Sequence, residues 1–567
     1  MDVNEQIYKY ALQNAVKYNG KANDKAVVGR ILAESEEARK DVPGLRKTAE
    51  EIIAKVNSMT LDAQQAELQK IAPELIEEDK AKKEKNKEEK DIFAFIGIRQ
   101  GEYVATAFPP EPSKYPHIGH AKAILINYLL AKKYDGKFYL RFEDTNPELA
   151  KAEFYDIHLE NYKWLGIEPD VVDHASSHVD EFYLFAEQLI KKGNAYVCFC
   201  SQDKMRENRN KGIECECRNN DLKKNIRGWE DMFVLKEGQA VLRIKIDMQH
   251  LNTTMRDPVL MRIIEHEHPL VGKKYRIWPN YDFENSVMDG LQRITHRLRT
   301  KEFELRNELQ RHIQKELGFA ETKIFEFARF NLEGVESSGR IIREKIEKGE
   351  MIGWDDPGLT TLVALRRRGF VPEAIKNFVI STGITKAEAT LTWDDLIVQN
   401  RRLLDSSCNR YFFIEEPVHI EIKDAPELFC ALKLHPDHAE RGQREFKTHS
   451  KFIITKHDLN ELKDGELYRL MDCLNFEKKG NEFHFDSREH DKYKGRGKKI
   501  MHWLADSREN AKTEIMMPDK SIRHGFAEKG VRNLAVGDVI QFERFGFCRL
   551  DHIDEKENKH VFWYAHK

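Results

Sequence analysis

Two histidines three residues apart, His117 and His120, stand in Pro116-His117-Ile118-Gly119-His120, shortly after the turn Phe108-Pro109-Pro110-Glu111-Pro112. An apolar strand over 102–107 and a helical pattern over 118–133 put the pair at a strand-to-helix junction. At such a junction the first backbone N–H groups of the helix are unpaired and the dipole is positive, so phosphate is welcome. His117 and His120 add donors that can follow charge developing on the phosphates of a nucleotide as pyrophosphate leaves. Gly119 lets an adenine ring lie against bare backbone. The pentapeptide is thus a candidate ATP site; taken alone, it leaves open a pair of histidines that merely cap a helix.

A second constellation is Cys198-Phe199-Cys200 and Cys215-Glu216-Cys217, two Cys-x-Cys pairs separated by fourteen residues. Four thiolates gathered by so short an excursion suit a tetrahedral structural Zn2+, closed to water. Incidental free thiols or disulfides are the alternative. The other cysteines, Cys408, Cys430, Cys473 and Cys548, are scattered and read as buried. Two basic clusters could meet RNA: Arg366, Arg367 and Arg368, and then Arg488, Lys492, Lys494, Arg496, Lys498 and Lys499. Either could equally be a solvated face.

These residues need a scaffold of several cores. A chain of 567 residues implies about three to five domains. With 40% hydrophobic and 33% charged residues it reads as globular, and a net charge of -3 excludes a globally basic nucleic-acid binder. No apolar run approaches the roughly 18 residues of a membrane span. The start, Met1-Asp2-Val3-Asn4-Glu5, lacks the order of a secretory signal. Eight cysteines are too few for a disulfide scaffold. Those readings predict a cytoplasmic protein with no membrane partner.

The first segment is expected to be helical, with Tyr8, Leu12 and Ala15, and later Leu68, Ile71 and Leu75, at helical spacing. It ends in a Lys/Glu run over 79–91 that reads as a solvated helix or linker. Beyond it, strands over 103–108 and 138–142 alternate with helices over 118–133 and 150–165, the pattern of a parallel sheet with crossover helices. From about Phe412 the texture becomes short alternating strands such as 539–545 and 560–565, as in one or two antiparallel barrels.

The run Ala105–Ser113 with Pro116–Ala123 resembles the first signature of class I aminoacyl-tRNA synthetases, in the glutamyl/glutaminyl form. Four further stretches follow in the order that family requires: Arg141-Phe142-Glu143-Asp144-Thr145-Asn146-Pro147, Asn280-Tyr281-Asp282-Phe283, Thr295-His296-Arg297-Leu298-Arg299, and Gly353-Trp354-Asp355-Asp356-Pro357 leading to Leu365-Arg366-Arg367-Arg368-Gly369. A C-terminal stretch, Val536–Gly546, is similar to the barrel region of the archaeal and eukaryotic glutamyl branch.

The resemblance implies a multidomain protein with an α/β Rossmann-like catalytic core. Its expected parts are an N-terminal helical domain and charged linker over 1–92 and the two halves of the core over 93–176 and 276–332. An acceptor-end-binding insertion carrying the cysteines covers 177–275, a clamp loop and helical connector 333–408, and anticodon-binding all-β barrels 409–567. It implies that Pro109, Pro110, Glu111, His117, Gly119, His120, Ser337, Ser338, Gly339 and Arg340 meet ATP, with His117, His120 and Arg340 catalytic. Glu143, Tyr281, Asn285 and Arg299 would hold the amino acid, Glu143 taking its ammonium group. Asp144 and Asp282 could be structural caps instead.

Arg299, Ser113 and Asn285 favour glutamate over glutamine, because an amide would leave a buried guanidinium unpaired at a cost of about 3 kcal/mol or more. The implied substrates are L-glutamate, Mg2+-bound ATP and tRNA(Glu), with tRNA(Gln) a further candidate. The chain is expected to be a monomer whose N-terminal domain is a candidate binder of other translation proteins. A glutaminyl enzyme and a non-catalytic tRNA-binding paralogue are the alternatives. Two positions depart from the family. Ala107 stands where an arginine helps hold the substrate's carboxylates, so Arg141, Lys114 or Arg299 must substitute. Gly339 stands where the clamp loop has its lysine, leaving Arg340 and Arg343 nearby and a loop expected to be mobile.

Overall fold

The computed structural model describes residues 3–17, 20–34, 41–76, 91–336, 338–388 and 390–567. The Lys/Glu run lies almost wholly outside them, as does Ser337. Contacts divide the chain into two units, 1–95 and 96–567.

The first unit holds helices α1 (Val3–Lys17), α2 (Asp24–Glu34), α3 (Val42–Asn57) and α4 (Leu61–Ile71). Ile7, Leu12, Ala15, Ile31, Ala49, Ile53, Val56, Leu68 and Leu75 share one core. Asp41 and Thr60 cap α3 and α4 by accepting from Gly44 and Ala63 backbone N–H groups. Ile71, expected inside by periodicity, is 39% exposed, because it is the last residue of α4.

The second unit is built on short buried strands. β1 (Ala105–Phe108), β2 (Lys137–Phe142) and β3 (Val171–His174) form a parallel sheet in that order, joined by α5 (Ile118–Lys133) and α6 (Ala152–Trp164). α5 is apolar nearly all round, and Ile118, Ala121, Ile124, Leu125, Ile126, Leu130 and Ala131 are buried. Lys132 and Lys133 stand in its last turn, where the dipole favours cations.

An antiparallel sheet follows: β4 (Ala195–Cys198), β5 (Val241–Ile244), β6 (Val259–Ile263) and β7 (Ile277–Pro279). After α7 (Tyr281–Leu291), strands β8 (His296–Thr300) and β9 (Lys323–Phe327) run parallel. β8 lies alongside β1: Thr295 N donates to Ala105 O at 2.9 Å, and Ala105 N donates to the Thr295 hydroxyl at 2.8 Å. Beyond that point the Asn127 side chain of α5 satisfies both backbone groups of Leu298, at 3.1 and 2.8 Å. A side chain thus replaces strand pairing toward the carboxyl ends of β1 and β8, the ends at which open α/β sheets hold ligands.

The C-terminal residues form two seven-stranded sheets and a separate hairpin, Leu428–Lys433 with Gln443–Thr448. Buried and exposed residues alternate along that hairpin, the mark of a half-solvated antiparallel pair. A buried ion pair ties the hairpin to the sheet that contains strands Ile522–Ala527 and Val539–Phe542. Arg444 donates to Glu528 Oε2 at 2.7 Å and to Glu543 at 2.9 Å, and Glu528 also accepts from Phe412 N at 2.8 Å. Burial raises the Glu528 carboxyl's pKa even so.

The three arginines of 366–368, candidates for RNA contact by sequence, are mostly internal staples. Arg367 binds Asp355 and Asp551 and lies 3.9 Å over the Trp563 ring. Arg368 is buried and donates to the carbonyls of Pro357 and Ala565, at 3.0 and 2.6 Å. Only Arg366, paired with Glu160 at 2.9 Å, keeps substantial exposure. Their charges hold the connector against the barrels, so a basic triplet in sequence is not a free basic surface. In the second cluster Lys499 is bound to Asp458 and Glu461, whereas Arg488, Lys492, Lys494, Arg496 and Lys498 are exposed.

Glu528→Ala leaves Arg444 buried with only Glu543, and should destabilise the C-terminal sheets by about 3 kcal/mol, with Glu528→Gln costing less. Calorimetry of the full chain checks this; an unchanged C-terminal transition in Glu528→Ala would contradict the assigned role.

Candidate functional site

The histidine pair is built by a helix cap. His117 is the N-cap of α5; its Nδ1 accepts from Gly119 N at 3.0 Å, and His120 Nδ1 accepts from His117 N at 3.2 Å. This is a capping box made from two imidazoles. Both Nδ1 atoms are thereby fixed as acceptors, so in the neutral rings the proton sits on Nε2. The protein keeps them neutral: burial, with the charges of Lys114 and Arg329, lowers His117 to about 3, and burial beside His117, His158 and Lys114 holds His120 well below its ordinary value. Both residues are nonetheless only partly buried. Gly119 has a second reason to be glycine: a Cβ there would stand 2.8 Å from the His117 ring. The two readings of the pentapeptide therefore coexist, the cap being what orients the donors.

The turn before the pair is pinned from both sides. Pro110 O accepts from Glu143 N at 2.9 Å and Pro112 O from Lys151 N at 3.0 Å, which ties the Pro-Pro segment to the end of β2. Glu111 accepts from the Ser113 hydroxyl at 2.6 Å, and Pro109 lies partly open at the end of β1. On the other side Ile118 N donates to Thr360 O and Leu362 N to Pro116 O, at 3.0 and 2.9 Å. Tyr115 stacks on Trp354 with centroids 5.3 Å apart. Within the Trp-Asp-Asp segment, Asp356 accepts from the backbone of Ile352 and Gly358 and so shapes its own turn.

The clamp segment differs from its sequence expectation. Gly339 is not in a mobile loop but opens helix α8 (Gly339–Glu347), capped at Ser338. Arg340 is 76% exposed in its side chain and pairs with Glu344 at 2.8 Å, one turn along the same helix. Arg343 instead reaches back to the Ser113 carbonyl at 3.3 Å. The stem of Lys114 passes 3.0 Å from where a Cβ of residue 339 would stand. Glycine at 339 makes room for it, and burial lowers the Lys114 amine's pKa beside His117, Gly339 and Thr361.

The residues expected from the sequence to hold the amino acid come from β2, α7 and β8 and their ends. Asn285 donates from its amide nitrogen to Glu143. Its oxygen accepts from Arg141 Nη2 at 3.1 Å and from Arg297. Arg141 and Arg297 also share Asp289 Oδ1, at 3.0 and 2.6 Å. Arg299 donates to Asn307 Oδ1 at 3.0 Å and points Nη1 at the Tyr281 hydroxyl, 3.4 Å away. Burial pushes Glu143 up to about 7 against the pull of Arg297 and Arg141, and Tyr281 up to about 12. Glu284, buried beside Glu143, is raised well above the carboxylate range and accepts from Thr145 at 2.9 Å. Asp144 is structural: it takes Ser176 N, the Ser176 hydroxyl and the Tyr155 hydroxyl, at 2.8, 2.7 and 2.8 Å. Asp282 pairs with Arg306 at 2.5 Å.

The structure thus brings Glu143, Tyr281, Asn285 and Arg299 together, and separates Arg340 from them. Arg297, Asp289 and Glu284 were missed by sequence reasoning. The alternation of β8 held a signal for the first, because residues 297 and 299 must share a face.

The four Cys-x-Cys sulfurs, all on or near β4, lie within 4.8 Å of one another. Cys198 and Cys215 Sγ are 3.8 Å apart, the separation expected of two sulfurs held at about 2.3 Å on one tetrahedral zinc. The Arg243 guanidinium stands 3.9 and 3.8 Å from these two sulfurs. It can offset the negative charge of a four-thiolate site. The donor set fits a closed structural metal centre.

Comparison with known proteins identifies the family of the chain. Residues 103–406 match the family described as tRNA synthetases class I (E and Q), catalytic domain. Residues 408–493 and 500–551 match two anti-codon binding domains of the same class. A protein of Pyrococcus abyssi named glutamate–tRNA ligase is 40% identical over 590 aligned positions, covering 100% of both chains. Proteins of the same name from Pyrococcus furiosus and Methanothermobacter thermautotrophicus are 39% and 38% identical, again over 100% of both chains. A solved glutamate tRNA ligase from Elizabethkingia meningosepticum is far more distant: 20% identity and a TM-score of 0.41 over 54% of this chain and 71% of that one. The chain belongs to the class I glutamyl/glutaminyl aminoacyl-tRNA synthetase family.

Proposed function

We propose that this chain is a glutamate–tRNA ligase, joining L-glutamate to the 3′ end of tRNA(Glu) through glutamyl-adenylate. One observation carries the choice of amino acid. The Arg299 guanidinium is buried, and its hydrogen bonds among the described residues run to the neutral groups of Asn307 and Tyr281. A carboxylate satisfies such a cation, whereas glutamine's amide leaves it uncompensated.

In this reading a carboxylate oxygen of glutamate attacks the α-phosphorus of ATP in line. The bond to the bridging oxygen breaks and pyrophosphate leaves with Mg2+, which arrives as part of the nucleotide. The terminal ribose hydroxyl of tRNA then displaces AMP. No protein nucleophile is required; the site works by positioning and charge stabilisation. Neutral His117 and His120 present Nε2–H donors to the phosphates, and Lys114 supplies the cation nearest them, with Arg343 and Arg340 on the adjoining helix. Glu143 accepts the substrate's ammonium, a charge-assisted bond that requires its ionised form.

The four-cysteine cluster is assigned a structural Zn2+ that braces the insertion, 177–275, for the acceptor end of tRNA. The C-terminal sheets are assigned to the anticodon, with the exposed Arg488–Lys498 cluster as a phosphate-contacting surface. Charging of tRNA(Gln), a monomeric cytoplasmic state and a protein-binding role for the N-terminal helices belong to the same proposal.

Pyrophosphate exchange with each amino acid, with and without each purified tRNA, tests it. Glutamate should support exchange and glutamine should not. Exchange with neither would favour a non-catalytic RNA-binding protein, and exchange with glutamine would overturn the specificity. The pH dependence should follow Glu143. Its raised pKa leaves it protonated below about 7, so kcat/KM for glutamate should fall about tenfold per unit as pH drops below that point. The KM for ATP should stay flat, since His117 remains neutral down to about 3. Glu143→Gln should abolish that acidic limb; a limb that persists in the variant assigns it to another group. For the metal, the purified chain should carry about one zinc. Cys217→Ser should lower the zinc content and open the insertion to protease. A metal-free chain of undiminished protease resistance would refute the site.

A further inference from the structure

Three buried guanidiniums surround the amino-acid pocket: Arg141 and Arg297 at 0% and 1% exposure, and Arg299 at 7%. The carboxylate that pairs with them is Asp289, and Arg141 and Arg297 divide it between them. Arg299 bonds neutral partners. The two further acids of the pocket, Glu143 and Glu284, are both displaced toward their neutral forms. Even with Glu143 ionised, the cluster keeps an excess of positive charge, and a buried excess of this kind is costly unless an anion joins it.

The surroundings of Asn285 show where that anion would go. Arg141 Nη2 and Arg297 Nη1 converge on one amide oxygen, while the amide nitrogen of the same side chain faces Glu143. A neutral oxygen between two guanidiniums, one side chain away from an acid, marks a place where a carboxylate would bind far better than an amide does. The Nε atoms of both arginines are also buried without a hydrogen-bond partner.

The strands explain why Arg297 is the residue concerned. Ala107 lies opposite Tyr139 in register, and Arg141, two residues on in β2, shares that face. Across the other edge β8 runs alongside β1, with Thr295 bonded to Ala105 and Arg297 two residues further along β8. Arg297 and Arg141 meet on one Asp289, which puts both on the face from which a side chain at 107 would emerge. Ala107 itself packs with Ala105 and Ile294 and offers no polar group.

We propose that Arg297 is a substrate-binding residue, holding a carboxylate of the amino-acid substrate from β8 in the place that Ala107 leaves without a cation. It completes, with Arg299, a pair of guanidiniums on one strand face suited to an amino acid with two carboxylates. Arg141, on the opposite side, braces Asp289 and Asn285. This rests on the glutamate-ligase reading and adds to it the identity of the second cation.

The test is tRNA-dependent pyrophosphate exchange on the full chain, with KM measured separately for glutamate and ATP. Arg297→Ala should raise the KM for glutamate by about a hundredfold or more and leave that for ATP within about threefold, as expected for loss of a charged contact. Restoring the cation from the neighbouring strand, in Ala107→Arg with Arg297→Ala, should recover about tenfold or more of the loss. A merely structural arginine would not be rescued from residue 107. A glutamate KM unchanged in Arg297→Ala, or an equal rise for both substrates with no rescue, overturns the proposal. If Arg297→Ala does not fold, Arg297→Lys keeps a charge against Asp289 but loses the planar fork; a glutamate-selective KM increase then supports the proposal and an unchanged KM overturns it. Wild-type chain without glutamate exchange would fail the ligase reading and this inference together. Wild-type exchange with an indifferent Arg297 fails this inference alone.

Discussion

One buried carboxylate, Asp289, organises the catalytic half of this molecule. It sits on α7, takes guanidiniums from β2 and β8 through Arg141 and Arg297, and accepts from Gln310 on the next helix at 2.7 Å. Two strands on opposite sides of β1 and two helices are thereby fixed to one group. Loss of that group would leave two guanidiniums buried without compensation, a penalty of about 3–5 kcal/mol or more. Those arginines, held in place, orient Asn285 and Glu143 in turn, so that the geometry of the pocket follows from one ion-paired centre. A buried acid with two cations also leaves the site electrostatically unfinished, which is a natural property of a pocket that must accept a dicarboxylic amino acid.

The nucleotide side solves a different problem. Phosphates need donors, but charged histidines packed beside Lys114 and against each other would repel. The cap of α5 resolves this by using both Nδ1 atoms as acceptors for backbone N–H groups, which leaves neutral rings with donating Nε2 atoms. The same cap requires glycine at 119, whose Cβ would strike the His117 ring. The residues proposed to meet phosphate and the cap that starts the helix are here the same few atoms. The turn before the cap is held by the end of β2 on one side and by the segment after Trp354 on the other, so parts distant in sequence share one wall.

Much of this was legible beforehand, for identifiable reasons. The helix over Ile118–Lys133 follows from its capping residue and continuous apolar content, and Glu143, Tyr281 and Arg299 stand at or beside element ends, with Asn285 one turn into α7. What could not be read were tertiary pairings. The basic triplet 366–368 resembles an RNA surface until Asp355, Asp551 and the carbonyls of Pro357 and Ala565 are seen to take its charges. The clamp segment resembles a flexible loop because its glycine suggests freedom, whereas the glycine accommodates Lys114 from a distant turn. Arg297 was hidden because its partners, Asn285 and Asp289 on α7, meet it only in the fold.

A crystal structure of the full chain with a non-hydrolysable glutamyl-adenylate analogue and tRNA tests the central claim most directly. The side-chain carboxylate should lie within hydrogen-bond reach of both Arg297 and Arg299, with the ammonium on Glu143 and the phosphate surrogate facing the Nε2 atoms of His117 and His120. An analogue whose carboxylate is bound elsewhere, with Arg297 still closed over Asn285 and Asp289, would contradict it.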